Sequence, residues 1–177
     1  MTALAINPGP AAVTFWVPGI PKPGGSKRGF LNPKTKRVII TEDCKASKDW
    51  RTSVAFVAAA AIPLWLPGPL RVTFSFYFLR PSGHYRTGKN AGRLRASAAG
   101  YPTGRPDLTK LIRSTEDALK AIAWRDDSQI VYQVATKRYA DEGKAAGAQI
   151  TISPAQESPA LALTYADQLA EEEAFQR

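Results

Sequence analysis

The sequence predicts an α+β domain, a single small unit with a mixed β-sheet covered by two helices. Strict apolar alternation along Leu70–Leu79 marks a half-buried strand, and apolar stripes at helical spacing lie on either side of it. Length sets the scale. At 177 residues and 44% apolar side chains, the chain holds one domain with a real core plus a tail.

Residues 1–12 are small and Pro-containing and read as a flexible N-terminus. Residues 13–152 form the folded domain and 153–177 an acidic C-terminal tail. Val13–Val17 alternates and predicts a strand, and Pro18–Pro33, rich in Pro and Gly, predicts a loop. Arg37–Thr41 predicts a second strand, paired with the first as a hairpin across that loop. Thr41 or Asp43 caps a helix over Cys44–Ile62, with Trp50, Val54, Val57 and Ala61 on one face and Pro63 ending it. In the strand Leu70–Leu79, Val72, Phe74, Phe76 and Phe78 point one way and Arg71, Thr73, Ser75 and Tyr77 the other.

Residues 80–106 read as a long loop. Asp107 is then a good N-cap for a helix to about Ala123, whose stripe includes Leu108, Leu111, Ile112, Thr115, Ala118, Leu119 and Ile122. The turn Trp124–Asp127 leads into a strand from Gln129 to Tyr139, and Ala148–Ile152 is the last strand. A linker and a weak acidic helix follow. Trp16, Trp50, Trp65, Phe74 and Trp124 read as core, and His84 as a solvated or phosphate-near residue of the loop.

Charge narrows the function. The net charge is +9, but the tail from Ser153 holds five acids and one base, so residues 1–152 carry +13. Between Asp49 and Asp107 there are eight bases and no acid. A body of this kind favours a polyanion, with nucleic acid first; charge alone also fits a generic basic protein or an RNA-associated one. The long loop interleaves Arg80, Arg86, Lys89, Arg93, Arg95 and Arg105 with His84, Tyr85 and Tyr101, which suits phosphate contact and base stacking. With Lys22, Lys27, Arg28 and Lys110, these six bases are the expected nucleic-acid contacts. One cysteine, Cys44, excludes an internal disulfide framework and a Cys-rich zinc site. One histidine, His84, excludes a His-rich metal site. No charged leader segment is visible, and the longest apolar run, Ser53–Leu66, is too short to cross a membrane. A cytoplasmic protein is expected.

Acids are scarce, so Asp107, Asp126 and Asp127 stand out. Convergent carboxylates in a basic cleft are what metal-assisted phosphodiester cleavage needs. As plain structure, Asp107 is a helix cap and Asp126-Asp127 a polar turn. The predicted helix is about 24 Å long, so Asp107 reaches Asp126 and Asp127 only if the next strand runs back beside it or another subunit supplies one side.

The block Arg105-Pro106-Asp107-Leu108-Thr109-Lys110-Leu111, then Glu116-Asp117-Ala118-Leu119, then Trp124-Arg125-Asp126-Asp127-Ser128-Gln129-Ile130-Val131, resembles the RusA family of Holliday-junction resolvases. Val17–Pro23 and Asn32–Thr35 look like its phage-type members. The resemblance implies a small homodimeric α+β endodeoxyribonuclease of DNA recombination and repair, bacterial, or phage- or prophage-encoded. It implies binding of branched DNA and cutting of four-way junctions with Mg²⁺ or Mn²⁺. Asp107, Asp126 and Asp127 match its metal-binding acids, with Asp127 the better match of the pair. Two positions depart from the pattern. Thr109 stands where the family has its second metal Asp, and Arg113 where it has its catalytic Lys. A hydroxyl is a poor ligand for Mg²⁺, and Arg keeps the charge without serving as a proton donor. Glu116, roughly 10 Å from position 109 by the helix rise, does not replace the lost ligand. The alternative is therefore a structure-selective DNA-binding protein of the same fold with weakened or lost catalysis.

Overall fold

The computed structural model describes residues 12–24, 27–42, 45–140 and 144–155. These residues form β1 (Val13–Pro18), β2 (Lys27–Leu31), β3 (Val38–Glu42), α1 (Lys45–Ala61), β4 (Leu70–Phe78), α2 (Leu108–Leu119), β5 (Ile130–Tyr139) and β6 (Gly147–Pro154). The main sheet has the order β1-β6-β4-β5. β6 is antiparallel to both its neighbours, while β4 and β5 are parallel. Parallel neighbours need a crossover, and α2 lies within that connection. The expected α+β class with a mixed sheet and two helices is what the chain adopts.

The alternation of β4 decides which face is inside. Leu70, Val72, Phe74 and Phe76 are all fully buried, and the last two stack their rings at 5.9 Å. Phe15, Val17, Ile150 and Ile152 extend this inner face, and Trp50, Val54, Leu111 and Leu119 cover it from the two helices. Each such side chain contributes about 1.5–3 kcal/mol by leaving water. The helices meet over a small polar contact. The Ser47 and Ser114 hydroxyls lie 3.4 Å apart, Trp50 Nε1 donates to Thr115 Oγ1 at 3.2 Å, and Thr115 Oγ1 donates to the Leu111 carbonyl at 2.9 Å. Small residues let the helices approach, and the buried polar atoms find partners there.

Five expectations need correction. β1 does not pair with the strand after the loop. It pairs with β6, while β3 pairs with β2, a strand inside the expected loop. The turn between β2 and β3 explains that local choice: the Asn32 side chain accepts from the Lys34 and Thr35 amides, at 2.9 and 3.3 Å. Secondly, α2 stops at Leu119 rather than near Ala123. Ala121 turns left-handed with φ 64°, and the amides of Ile122 and Ala123 both bond the Leu119 carbonyl. This turn drives Trp124 into the core, where it is fully buried. Thirdly, 80–106 is not structureless. It holds two short 3₁₀ turns, Ser82–His84 and Gly88–Asn90, and an antiparallel bridge between Tyr85 and Leu94. Fourthly, Trp16 and Trp65 are not core: they are 39% and 41% exposed, whereas Trp50 and Phe74 are buried. Finally, Thr41 lies within β3 rather than at the start of α1, while Asp43 lies outside the described residues, as do residues 1–11 and 156–177.

Candidate functional site

The sequence-predicted acids gather at the two ends of α2. Asp107 holds the N-cap position in extended backbone, yet its carboxylate makes no capping bond. It pairs instead with the Lys110 ammonium at 3.3 Å, with both side chains more than half exposed. An exposed pair of this kind adds little stability, and it leaves the first-turn amides of α2 without a side-chain cap. From β5, Lys137 Nζ donates to the carbonyls of Gly104 and Pro106 at 2.7 and 2.8 Å, bracing the segment that leads into Asp107. The Gly24 amide donates to the Lys110 carbonyl, tying the N-terminal loop to the same turn. A cleft of about 660 Å³ results, with Lys22, Arg105, Asp107 and Lys110 on its walls and Pro21 and Phe78 on its floor. Three cations and one carboxylate thus stand at the positive end of a helix, a setting that attracts anions.

The other end is built around a lysine. Asp126 caps the 3₁₀ turn Asp127–Gln129, accepting from the Ser128 amide at 3.1 Å. The Gln129 carbonyl oxygen accepts from the amides of Arg125 and Asp126, and its amide group donates to the carbonyls of Leu66 and Gly68. One side chain thereby pins the acidic turn to the end of α1's connection. Trp124 Nε1 donates to Asp127 Oδ1 at 2.8 Å. Lys120 Nζ reaches both carboxylates, at 3.1 Å to Asp126 and 3.2 Å to Asp127.

The electrostatics follow this geometry. The hydrogen bonds from Ser128, and then Lys120, lower the Asp126 carboxyl to about 2. The same contacts with Asp126 and Asp127 raise the Lys120 ammonium. Burial, followed by the nearby Asp127 charge, pushes Glu116 up, although the Gln133 side chain donates to its carboxylate and opposes the rise. Glu116 thus belongs to the field of the acidic turn.

The structure brings together Asp126 and Asp127, with Glu116 near them. It does not bring Asp107 to them within one chain: the twelve residues of α2 lie between, about 18 Å of helix. Among the described residues, no three Asp, Glu, His or Cys side chains gather where a metal ion could be held. The carboxylate oxygens suit a hard divalent cation in kind. In position, each end alone offers too few, and at the acidic turn the ammonium of Lys120 already stands between the two carboxylates. Thr109 and Arg113 are both exposed on α2.

The expected DNA contacts divide into three groups. Lys22, Arg105 and Lys110 line the cleft. Arg86, Lys89 and Arg93 are exposed on the basic arm formed by residues 80–106. Arg80 and Arg95 bond the arm's own structure, Arg80 Nη1 to the Ala99 carbonyl and Arg95 Nε to the Tyr85 carbonyl, both at 2.9 Å. Arg80 also lies over the Tyr139 ring at 4.4 Å. The side chains of Lys27 and Arg28 are outside the described residues. His84 is not simply solvated: its ring meets Tyr139 edge-on at 5.3 Å, and its Nδ1 is buried. Sequence reasoning passed over Lys120, Gln129 and Lys137. Lys137 had a signal, since it and Gln133 are polar residues at the helix-facing positions of β5.

A family model described as endodeoxyribonuclease RusA matches residues 18–153. The uncharacterized protein YqaN of Bacillus subtilis (strain 168) is 28% identical over 131 residues, covering 73% of this chain and 89% of that protein. Among the described residues, no helix is long and apolar enough to cross a membrane.

Proposed function

Because the chain belongs to the RusA endodeoxyribonuclease family, we propose that it binds four-way DNA junctions and cleaves them with a divalent metal, Mg²⁺ or Mn²⁺. The observation that carries this reading is the cleft at the start of α2, where Lys22, Arg105 and Lys110 surround Asp107. Phosphates of one junction arm enter there, held by the three cations and the α2 amides. The exposed arm bases Arg86, Lys89 and Arg93 extend the track, and Arg113 adds charge on the next turn of α2.

Asp107, Asp126 and Asp127 are the proposed metal ligands, and two copies of the chain bring the separated ends together. A divalent metal held by these carboxylates would supply polarisation of a phosphate oxygen and hydroxide near neutral pH. The chain's own part is to hold phosphate at α2 and to position Asp127 through Trp124. Two sites in a two-fold dimer suit the two opposed strands of a symmetric junction.

A second reading rests on Thr109 and Lys120. A hydroxyl in place of a carboxylate, and an ammonium already seated between Asp126 and Asp127, favour a junction binder with weakened or lost catalysis. Cleavage of a synthetic four-way junction with and without Mg²⁺ or Mn²⁺ tests both. Native protein should cut, and Asp107→Asn and Asp127→Asn should each abolish cutting while binding persists. Metal-dependent cutting that survives both changes would remove the site assignment. Binding without cutting, with cutting gained in Thr109→Asp, would establish the second reading.

A further inference from the structure

The face of the main sheet turned away from the helices has no layer over it among the described residues. The strands turn no acidic side chain to this face, while Arg71 and Arg138 stand on it. Near its β1–β6 end lies an arrangement that core packing does not explain. The indole of Trp16 leans across β6 to reach Tyr77 of β4, with ring centroids 5.5 Å apart and planes at 50°. Gly147 makes this possible. It faces Pro18 on one side and Tyr77 on the other, and a Cβ there would lie 2.3 Å from Trp16 Cζ2. The two rings, Gln149 and Lys144 line a shallow pocket of about 330 Å³, at the small end of ligand-sized sites.

We propose that this Trp16–Tyr77 notch binds an unpaired DNA base, stacked on the indole, with its edge read by Gln149 and its phosphate met by Lys144. This rests on the DNA-binding reading above and adds a second contact surface to it. Three observations support this occupant. Trp16 is 39% exposed, so a large ring is held in the open, and the missing side chain of Gly147 leaves room for it as well as for the Val17 carbonyl. Secondly, among the described residues the charges standing on the face, Arg71 and Arg138, are both positive. A second copy of the chain docked by a two-fold axis would bring Arg71 and Arg138 of both copies together with no carboxylate from these strands to meet them. A nucleic-acid strand supplies the missing negative charge and a planar partner at once. Thirdly, the notch and the basic cleft share one end of the sheet. Tyr77 lines the notch on one face, and Phe78, the next residue, lines the cleft on the other.

The test uses the full chain and a short fluorescein-labelled oligothymidine, followed by anisotropy, beside a labelled four-way junction and a plain duplex. Trp16→Ala should weaken oligothymidine binding about 5- to 100-fold, the loss expected for one stacked base. Trp16→Phe should retain most of the affinity, which controls for folding. Lys144→Glu should weaken the same probe and lower its salt slope by about one. Duplex affinity should stay unchanged in all three. Equal oligothymidine binding by native protein and Trp16→Ala would overturn the proposal, whatever the junction result. A fall in sedimentation mass from dimer to monomer in Trp16→Ala would also overturn it, by making the face a self-interface. Loss of junction binding by native protein, with Trp16-dependent oligothymidine binding intact, would refute the junction reading and leave the notch standing.

Discussion

Gly147→Ala is the sharpest structural test of the open sheet face. The added methyl would stand 2.3 and 2.7 Å from two atoms of the Trp16 indole and 2.5 Å from the Val17 carbonyl oxygen. The indole is half-exposed and can swing away, at the expense of its contact with Tyr77. The carbonyl belongs to β1 and moves only if that strand shifts against β6. Overpacking of this kind costs about 1–3 kcal/mol. Removing a glycine's freedom from the unfolded chain returns about 0.4–1 kcal/mol. The net loss should be about 1–2 kcal/mol. In a Trp16→Ala background, two of the three close contacts vanish, so the same change should cost about 1 kcal/mol less, a coupling expected of residues in contact. Urea unfolding followed by the emission of buried Trp50 and Trp124 measures all four proteins. A Gly147→Ala loss under about 0.5 kcal/mol, the range of ordinary surface changes, would refute the reasoning. So would an equal loss in both backgrounds, because the glycine would then not be there for the indole.

Two further predictions concern the acidic turn, where Glu116 and Asp126 respond to pH in opposite senses. Glu116 is raised by burial and by Asp127. Its contribution to stability is therefore complete below its ordinary value of 4.5 and is lost as pH rises through the higher folded value. Glu116→Gln keeps an acceptor for Gln133 and should raise the melting temperature at neutral pH, with the gain shrinking toward pH 4.5; a loss of equal size at every pH would contradict this. Asp126 is lowered to about 2 from 3.8, so its contribution is present above 3.8 and is lost as pH falls toward 2. Asp126→Asn should lose less stability than native protein over that acid interval in circular-dichroism melts, and parallel acid profiles would count against the assigned contacts.

Local pattern was enough for some elements and not for others. The period of two along β4 and the stripe on α2 placed both elements and their buried faces correctly, because each follows from side chains within one segment. Partners were harder. β1 was matched to the nearest strand in sequence, while its true neighbour β6 begins at Gly147, and nothing within Val13–Pro18 encodes that distance. Trp16 illustrates the same limit. Apolar size suggested core, yet Phe15 and Val17 occupy the inner face and alternation sends Trp16 outward. At the site, Asp107, Asp126 and Asp127 were legible as scarce acids in a basic chain. The seating of Lys120 between two of them depends on how the chain turns after Leu119, which a left-handed Ala121 decides.

The placing of β6 has a consequence for biosynthesis. Among the described residues the last strand to be made is an inner strand, flanked by β1, the first, and β4. Until translation passes Gly147, β1 has no neighbour in the main sheet and β4 has one open flank. Strand closure over such sequence separations is slow and leaves apolar edges exposed meanwhile. A message or gene truncated before Gly147 would yield α1 and α2 packed on a parallel strand pair, with β1 trailing free and open to proteases.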